Sequence, residues 1–450
     1  MSAIRQRSTL TPGQKEKEDL IRAAGEKEDR QLKETEKFVP PTFTIKQLLD
    51  AIPAHCFHRS AFRSSLYIVQ DFIAIGLLAY AYFHVQDVVA YAGLAPIPSQ
   101  ILKASLHTFI SVATGLFGTG LWIIAHECGH QAFSSSKQIN NAVGWVLHSA
   151  LLVPYHSWRI SHGRHHAATG HLSRDEVFVP RTRSQLSMVP ELKEEGEIHG
   201  MNISKQRQEE LREAVNDAPL YILWHLLVQQ LFGWPMYLIK NASGQKHYPK
   251  FTNHFSPKSI IFKPEQHDQI VLSDVGLLIT ASILTYWGIQ RSFSEVFYMY
   301  IIPYLWVNHW LVSITFLQHT DPLLPHYSAN KWSFARGALC TMDRTFLGPI
   351  GAYVLHGICE THVAHHISSK IPHYSAYEAT EAIKNFVGPY YMRSEENFLV
   401  SLFQNYRSCR WIEDNEDIVF YKNGSGVAQR IAVEDNGGVS DSGVDMSADK

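Results

Sequence analysis

Five cysteines in 450 residues, none in CxxC spacing, are too few and too scattered for a disulfide framework. Cys56, Cys128, Cys340, Cys359 and Cys409 read instead as reduced thiols facing a cytosol. Excess charge is lacking too: the formal net charge is -2, which argues against a general affinity for nucleic acid. No signal peptide is evident, and the first apolar run begins only near Leu66. What the chain has in quantity is apolar and aromatic residues, 45% and 12%, with Trp and Tyr often near the ends of the apolar runs. A soluble core could use them, but the pattern fits the aromatic belts of membrane-spanning helices. The length suits one polytopic membrane protein or two to three soluble domains.

Histidine is the other abundance. HECGH at residues 126–130 sets His126 and His130 four apart, on one face of a helix and one turn from each other. That spacing lets two imidazoles ligate one metal ion. HGRHH at 162–166 and HVAHH at 362–366 repeat it, each with a middle histidine, His165 or His365. On a helix this residue points roughly a hundred degrees away from its neighbour, so a cluster could bridge two adjacent metals. A lone histidine is usually a satisfied polar group. At this histidine frequency, however, chance supplies only about a tenth of an HxxHH match, and two occur. Imidazoles suit iron, zinc, copper and nickel alike, but eight ligands are too many for one ion and fit two.

The apolar runs then set the topology. Residues 1–39 are polar, dense in Lys and Glu and closed by Pro40-Pro41, so a disordered cytosolic tail is expected. A short amphipathic helix over 44–52 is expected on the membrane surface. Residues 66–85 form the first span, with Asp71 near one interface, and 86–100, free of Lys and Arg, form a loop on the non-cytosolic side. The second span, about 101–125, holds Ser111, Ala113, Gly115, Gly118 and Gly120, small enough for close helix packing. The stretch 142–155 is too short to cross. Between the second and third clusters lie three apolar runs, 220–239, 270–290 and 296–317. If the clusters share one site, an even number must cross. Gln229-Gln230 and Gly233-Trp234-Pro235 interrupt the first, which is therefore assigned to the interface. Four spans remain. Arg159, Arg164, Arg174, Arg181 and Arg183 put the clusters on the cytosolic side. The charged stretch 190–217 should carry a solvated helix near 205–215, and 423–450 should be a second disordered tail.

Two rival classes are weaker. HExxH suggests a zinc protease with Glu127 as general base, but six clustered histidines would be left without work and no LDG or NPDG motif follows. A non-enzymatic metal transporter would carry its ligands at mid-membrane depth, not at helix ends.

HECGH, HGRHH and HVAHH in this order resemble the three histidine boxes of the membrane fatty acyl desaturases. The flanking text resembles the delta-12 and omega-3 group: AIPAHCF at 51–57, WRISHGRHH at 158–166, DEVFVPR at 175–181, FLQHTDP at 316–322 and ETHVAHHISSKIPHY at 360–374. The resemblance covers about residues 40–422, the expected membrane domain, and the charged insert and tails look closer to fungal members. It implies an all-α polytopic fold of about four transmembrane helices with a cytosolic histidine-rich di-iron cap. It also implies two irons held by His126, His130, His162, His165, His166, His362, His365 and His366, with His319 of FLQHTDP as an additional ligand. O2 would be reduced to water with electrons from cytochrome b5 and its NADH-dependent reductase, as a cis double bond enters an acyl lipid or acyl-CoA at the endoplasmic reticulum. No HPGG haem-binding sequence occurs, so electrons are expected in trans. Overall likeness favours conversion of oleoyl to linoleoyl chains, with omega-3 desaturation, hydroxylation or epoxidation as alternatives. Glu127, Asp175 and Glu360 are expected either to orient a ligand imidazole or to cap a helix. His55, His107, His148, His156, His171, His356 and His373 are mostly expected to be structural.

Overall fold

The structure, a computed structural model, describes residues 35–186 and 218–433. The expected helix at 205–215 and most of both tails lie outside the described residues. Thr44 caps α1 (Ile45–Asp50) through a reciprocal box with Gln47. Its apolar face, Ile45 and Leu48, is buried against Val363, Ala364 and Ile367 beside the third histidine box. The surface helix expected there is thus packed on protein.

Next come α2 (Ala61–Tyr91) and α3 (Pro96–Gly129), an antiparallel hairpin whose connection is only residues 92–95. Both helices run further than the apolar runs suggest, because the Pro at the start of α3 suits a first helical turn and nothing breaks α2 before Tyr91. At 34 residues α3 is about 51 Å long against a hydrocarbon core of about 30 Å, so it is longer than one crossing needs, and the first box sits at its C-terminal end. The amphipathic helix α4 (Lys137–Ala150) and the second-box helix α5 (Tyr155–Ala168) fold back beneath that end. They are followed by α6 (Pro219–Lys240), α7 (His267–Gln290) and α8 (Phe293–His319). In α8 a π turn at Phe297–Ile301 precedes Pro303, which has no N–H to complete a regular ladder.

Among the described residues, five helices are long and apolar enough to cross a membrane: α2, α3, α6, α7 with its preceding turn, and α8. The interruptions read in 220–239 do not break α6, which runs through Pro235. Gln230 is accommodated because its Oε1 accepts a 2.8 Å hydrogen bond from Ser313 Oγ of α8. Near one end of α6, His225 stacks on Tyr406; near the other, the Tyr237 hydroxyl donates to Ser161 Oγ, next to the second box.

The small residues of α3 act as the spacing suggests. A Cβ on Gly115 would collide with the Cβ of Trp306, and one on Gly118 would lie 2.9 Å from Val307 Cγ2. Gly115→Leu is therefore expected to push α3 from α8 and destabilise the membrane domain by about 1–3 kcal/mol or more, read as a lower midpoint for thermal loss of monodisperse protein. Beneath the boxes, Trp122, Trp158, Trp234 and Trp310 join Ile222, Leu311 and Leu317 in the largest buried apolar cluster. Trp122 meets Trp158 and Trp234 edge-on, with centroids 5.2 and 6.0 Å away.

The remaining chain forms the cap: α9 (Phe334–Ala338), α10 (Gly348–Val354), the third-box helix α11 (His362–Ile367), α12 (His373–Val387) and α13 (Phe398–Ser408). Three two-stranded ladders knit it together. β1 (Glu36–Phe38) pairs in parallel with β6 (Arg430–Ala432), β2 (His326–Tyr327) antiparallel with β5 (Ile418–Val419), and β3 (Asp343–Arg344) in parallel with β4 (Arg393–Ser394). The first ladder uses residues outside the 40–422 boundaries read from the sequence. Buried Arg344 donates to Leu317 O, Ser401 Oγ and Asp321 Oδ2, while Asn405 Nδ2 donates to Thr320 O. Together they fix the FLQHTDP turn that carries His319.

Candidate metal centre

The three boxes arrive on the ends of α3, α5 and α11, and His319 on the last turn of α8. All nine histidines converge. One nitrogen each from His126, His130, His162, His166 and His365 lies within 4.8 Å of the others, and His165, His319 and His366 form a second such group. His362 Nε2 joins the second group, 2.9 Å from His319 Nε2. The groups touch through His166 and His366, whose rings stack at 4.0 Å.

Helical geometry explains the division. In α5, His162 and His166 share a face toward the first group, while His165, turned away between them, reaches the second. In α11 the roles reverse: His362 and His366 face the second group and His365 the first. Each of these clusters bridges both groups, as the HxxHH spacing allows.

The donor set fits metal ions. Nε2 atoms face one another at 3.2 Å for His126 and His130 and 3.1 Å for His162 and His166. Lone pairs aimed at one point give this arrangement, given metal–nitrogen bonds of about 2.0–2.1 Å. His165 Nε2, His365 Nε2 and His366 Nε2 are buried with no hydrogen-bond partner, a costly state unless a ligand takes the lone pair. Burial first, and then neighbouring imidazoles, holds His162, His166, His362 and His366 well below the usual imidazole range. Burial also holds His365 at about 4. At neutral pH these rings are uncharged, the form that binds metal.

Orientation comes from the surrounding shell. Asp175 Oδ1 accepts a 2.6 Å hydrogen bond from His165 Nδ1 and another from Glu176 N, while its Oδ2 accepts from Gly170 N. Of the two readings of Asp175, orientation of a box imidazole is the one realised. Thr169 Oγ1 lies 3.1 Å from His366 Nδ1, and Trp158 stacks on His162 at 4.4 Å. Glu127 hydrogen-bonds no box imidazole; its Oε2 accepts from His373 Nδ1 at 2.7 Å and from the His373 backbone N–H, the first of α12, so of its two readings the helix-capping one is realised. Glu360 instead accepts from the Tyr377 hydroxyl.

A model of the fatty acid desaturase family matches residues 103–396, which hold all nine histidines. The chain belongs to the fatty acid desaturase family. It is similar to the Delta(12) fatty acid desaturase of Mortierella isabellina, 45% identical over 382 residues that cover 85% of this chain and 91% of the relative. It is also similar to the oleate hydroxylase FAH12 of Claviceps purpurea, 42% identical over 412 residues, covering 86% and 82%. The Delta(12)-fatty-acid desaturase of Arabidopsis thaliana is 38% identical over 398 residues, covering 87% and 95%. This chain is therefore an oxidoreductase, a membrane-associated desaturase with a histidine-rich centre able to hold metal.

Two buried histidines of this desaturase read as structural have carboxylate partners instead of isolated niches. His373 pairs with Glu127, and His356 with Asp71 at 2.9 Å. Asp71, expected near an interface, is completely buried. A carboxylate in an apolar helix was the one available signal, since such a group needs a partner. Arg159 and Arg183, two of the arginines read as cytosolic, bond Gln269 and Glu413.

Proposed function

We propose that this desaturase introduces a cis double bond at the delta-12 position of an oleoyl chain, giving linoleoyl. Two irons would be held by His126, His130, His162, His166 and His365 on one side and by His165, His319, His362 and His366 on the other. The domain spans about residues 40–422, with the boxes on the cytosolic face of the endoplasmic reticulum membrane. The observation that carries this reading is the division of nine converging histidines into two adjoining groups. The delta-12 position rests on the relatives from Mortierella and Arabidopsis.

Bound iron would supply the activation of O2 and the removal of hydrogen from the acyl chain. The residues do the rest. Asp175 fixes the tautomer of His165, leaving its Nε2 free to ligate. Trp122 stacks beside His126 and Trp158 on His162, holding the rings and excluding water from the apolar side. The substrate is an acyl chain on lipid or CoA, in keeping with the relatives named above and with the apolar residues packed beneath the histidines. The reductant is cytochrome b5, supplied by its NADH-dependent reductase. Exposed Arg164, Lys250, Lys258 and Lys263 make a basic face near the second box for that acidic partner.

The relative from Claviceps gives a second reading, hydroxylation at the same carbon region, because the same metal chemistry serves both outcomes. Expression in yeast that lacks polyunsaturated lipids separates them. Gas chromatography with mass spectrometry is expected to find octadecadienoic and hexadecadienoic acids. A hydroxylated acid in their place would establish the second reading. Failure to make either, with conversion of supplied linoleate to alpha-linolenate, would replace delta-12 by omega-3.

A further inference from the structure

We propose that Asp71–His356 and Glu127–His373 form a two-point clamp that positions the third histidine box against the first. The proposal rests on the metal-centre reading above. The couples bracket the box: His356 lies six residues before His362, and His373 seven after His366. One carboxylate stands on α2 and the other on α3, beside His126. The segment bearing His362, His365 and His366 is thus tied at each end to a different membrane helix.

The details point to placement. His356 Nε2 meets Asp71 Oδ2 at 2.9 Å and His373 Nδ1 meets Glu127 Oε2 at 2.7 Å, with all four side chains at most 4% exposed. Glu127 also accepts from the His373 backbone, so the start of α12 is held as well as the ring. Tyr67, one turn before Asp71, packs edge-on against both imidazoles, with centroids 5.4 Å from His356 and 4.3 Å from His373; the two imidazoles are 5.3 Å apart. The couples therefore behave as one unit.

Two further features accord with this. Gly120 of α3 leaves room for the couple and for the backbone leading to it, since a Cβ there would lie 2.6 Å from Val354 O, 2.8 Å from Asp71 Oδ2 and 3.1 Å from His356 Nε2. His356 itself takes a left-handed backbone, φ +52, uncommon for a residue with a side chain. Apolar side chains would fill a membrane interior with less cost than a carboxylate and an imidazole. What they would not supply is a directional bond that sets where the segment sits, and ligand placement depends on that direction.

Ferrous-iron binding by the full chain in detergent tests this, with cobalt(II) absorption as the report of imidazole geometry. Asp71→Leu/His356→Leu removes both polar partners together, so the fold is kept while the tie is lost. His373→Phe keeps the ring against Tyr67 and loses the bond to Glu127. Each is expected to weaken iron binding on the order of tenfold and to alter the cobalt spectrum, whereas Asp71→Asn, which retains a hydrogen-bonding partner, stays near the parent. Parental affinity and spectrum in either folded variant would overturn the clamp and leave the couples purely structural. A parent chain that binds no iron would overturn the metal-centre reading, and the clamp with it.

Discussion

With alanine at His130, His165 or His365, double-bond formation is expected to disappear. The three sample three boxes and both histidine groups: His130 and His365 belong to the first and His165 to the second. Each removes a ligand outright, so the loss should exceed the roughly 10–100-fold typical of residues that only orient a ligand. The membrane domain should stay assembled, because the helix packing at Gly115 and Gly118 and the Arg344–Asp321 pair do not depend on any of these rings. Lipid analysis gives the product, and size exclusion with circular dichroism gives the assembly. Full activity in any one variant would break the shared-site reading, since that histidine would then not be needed as a ligand.

Depletion of cytochrome b5 is expected to have the next largest effect. Turnover in microsomes should fall by about tenfold or more and recover when the purified carrier is added. The basic face contains Arg164, whose guanidinium bonds Ile261 O and Glu176, leaving its side chain 45% exposed. Lys258 and Lys263 flank the same loop. An acidic carrier recognised by such charges associates more slowly as salt rises, so the rate at limiting carrier should also decline with ionic strength. Unchanged turnover without any b5 source would exclude this reductant.

Much of the centre was legible because its determinants are local. Four-residue spacing places His126 with His130 and His162 with His166 on any helix, and the hundred-degree step to His165 and His365 anticipates their service to the other group. The all-α membrane fold was legible in the length of the apolar runs. What escaped was whatever depends on distant partners. Glu127 meets His373 across 246 positions and Asp71 meets His356 across 285, so no local pattern distinguishes those histidines from structural ones. Continuity of α6 through Gln229, Gln230 and Pro235 depends on Ser313 of another helix. The inward turn of Arg183 depends on Glu413 near the other end of the chain. Helix ends failed for a different reason: hydropathy marks where the apolar layer stops, while α2 and α3 continue past it as regular helix.

Metal analysis of the purified full-length chain bears most directly on the two-iron centre. Inductively coupled plasma mass spectrometry on protein loaded with iron under anaerobic conditions should find about two irons per chain, in keeping with two histidine groups each sized for one ion. One zinc per chain and no iron would contradict the two-iron centre.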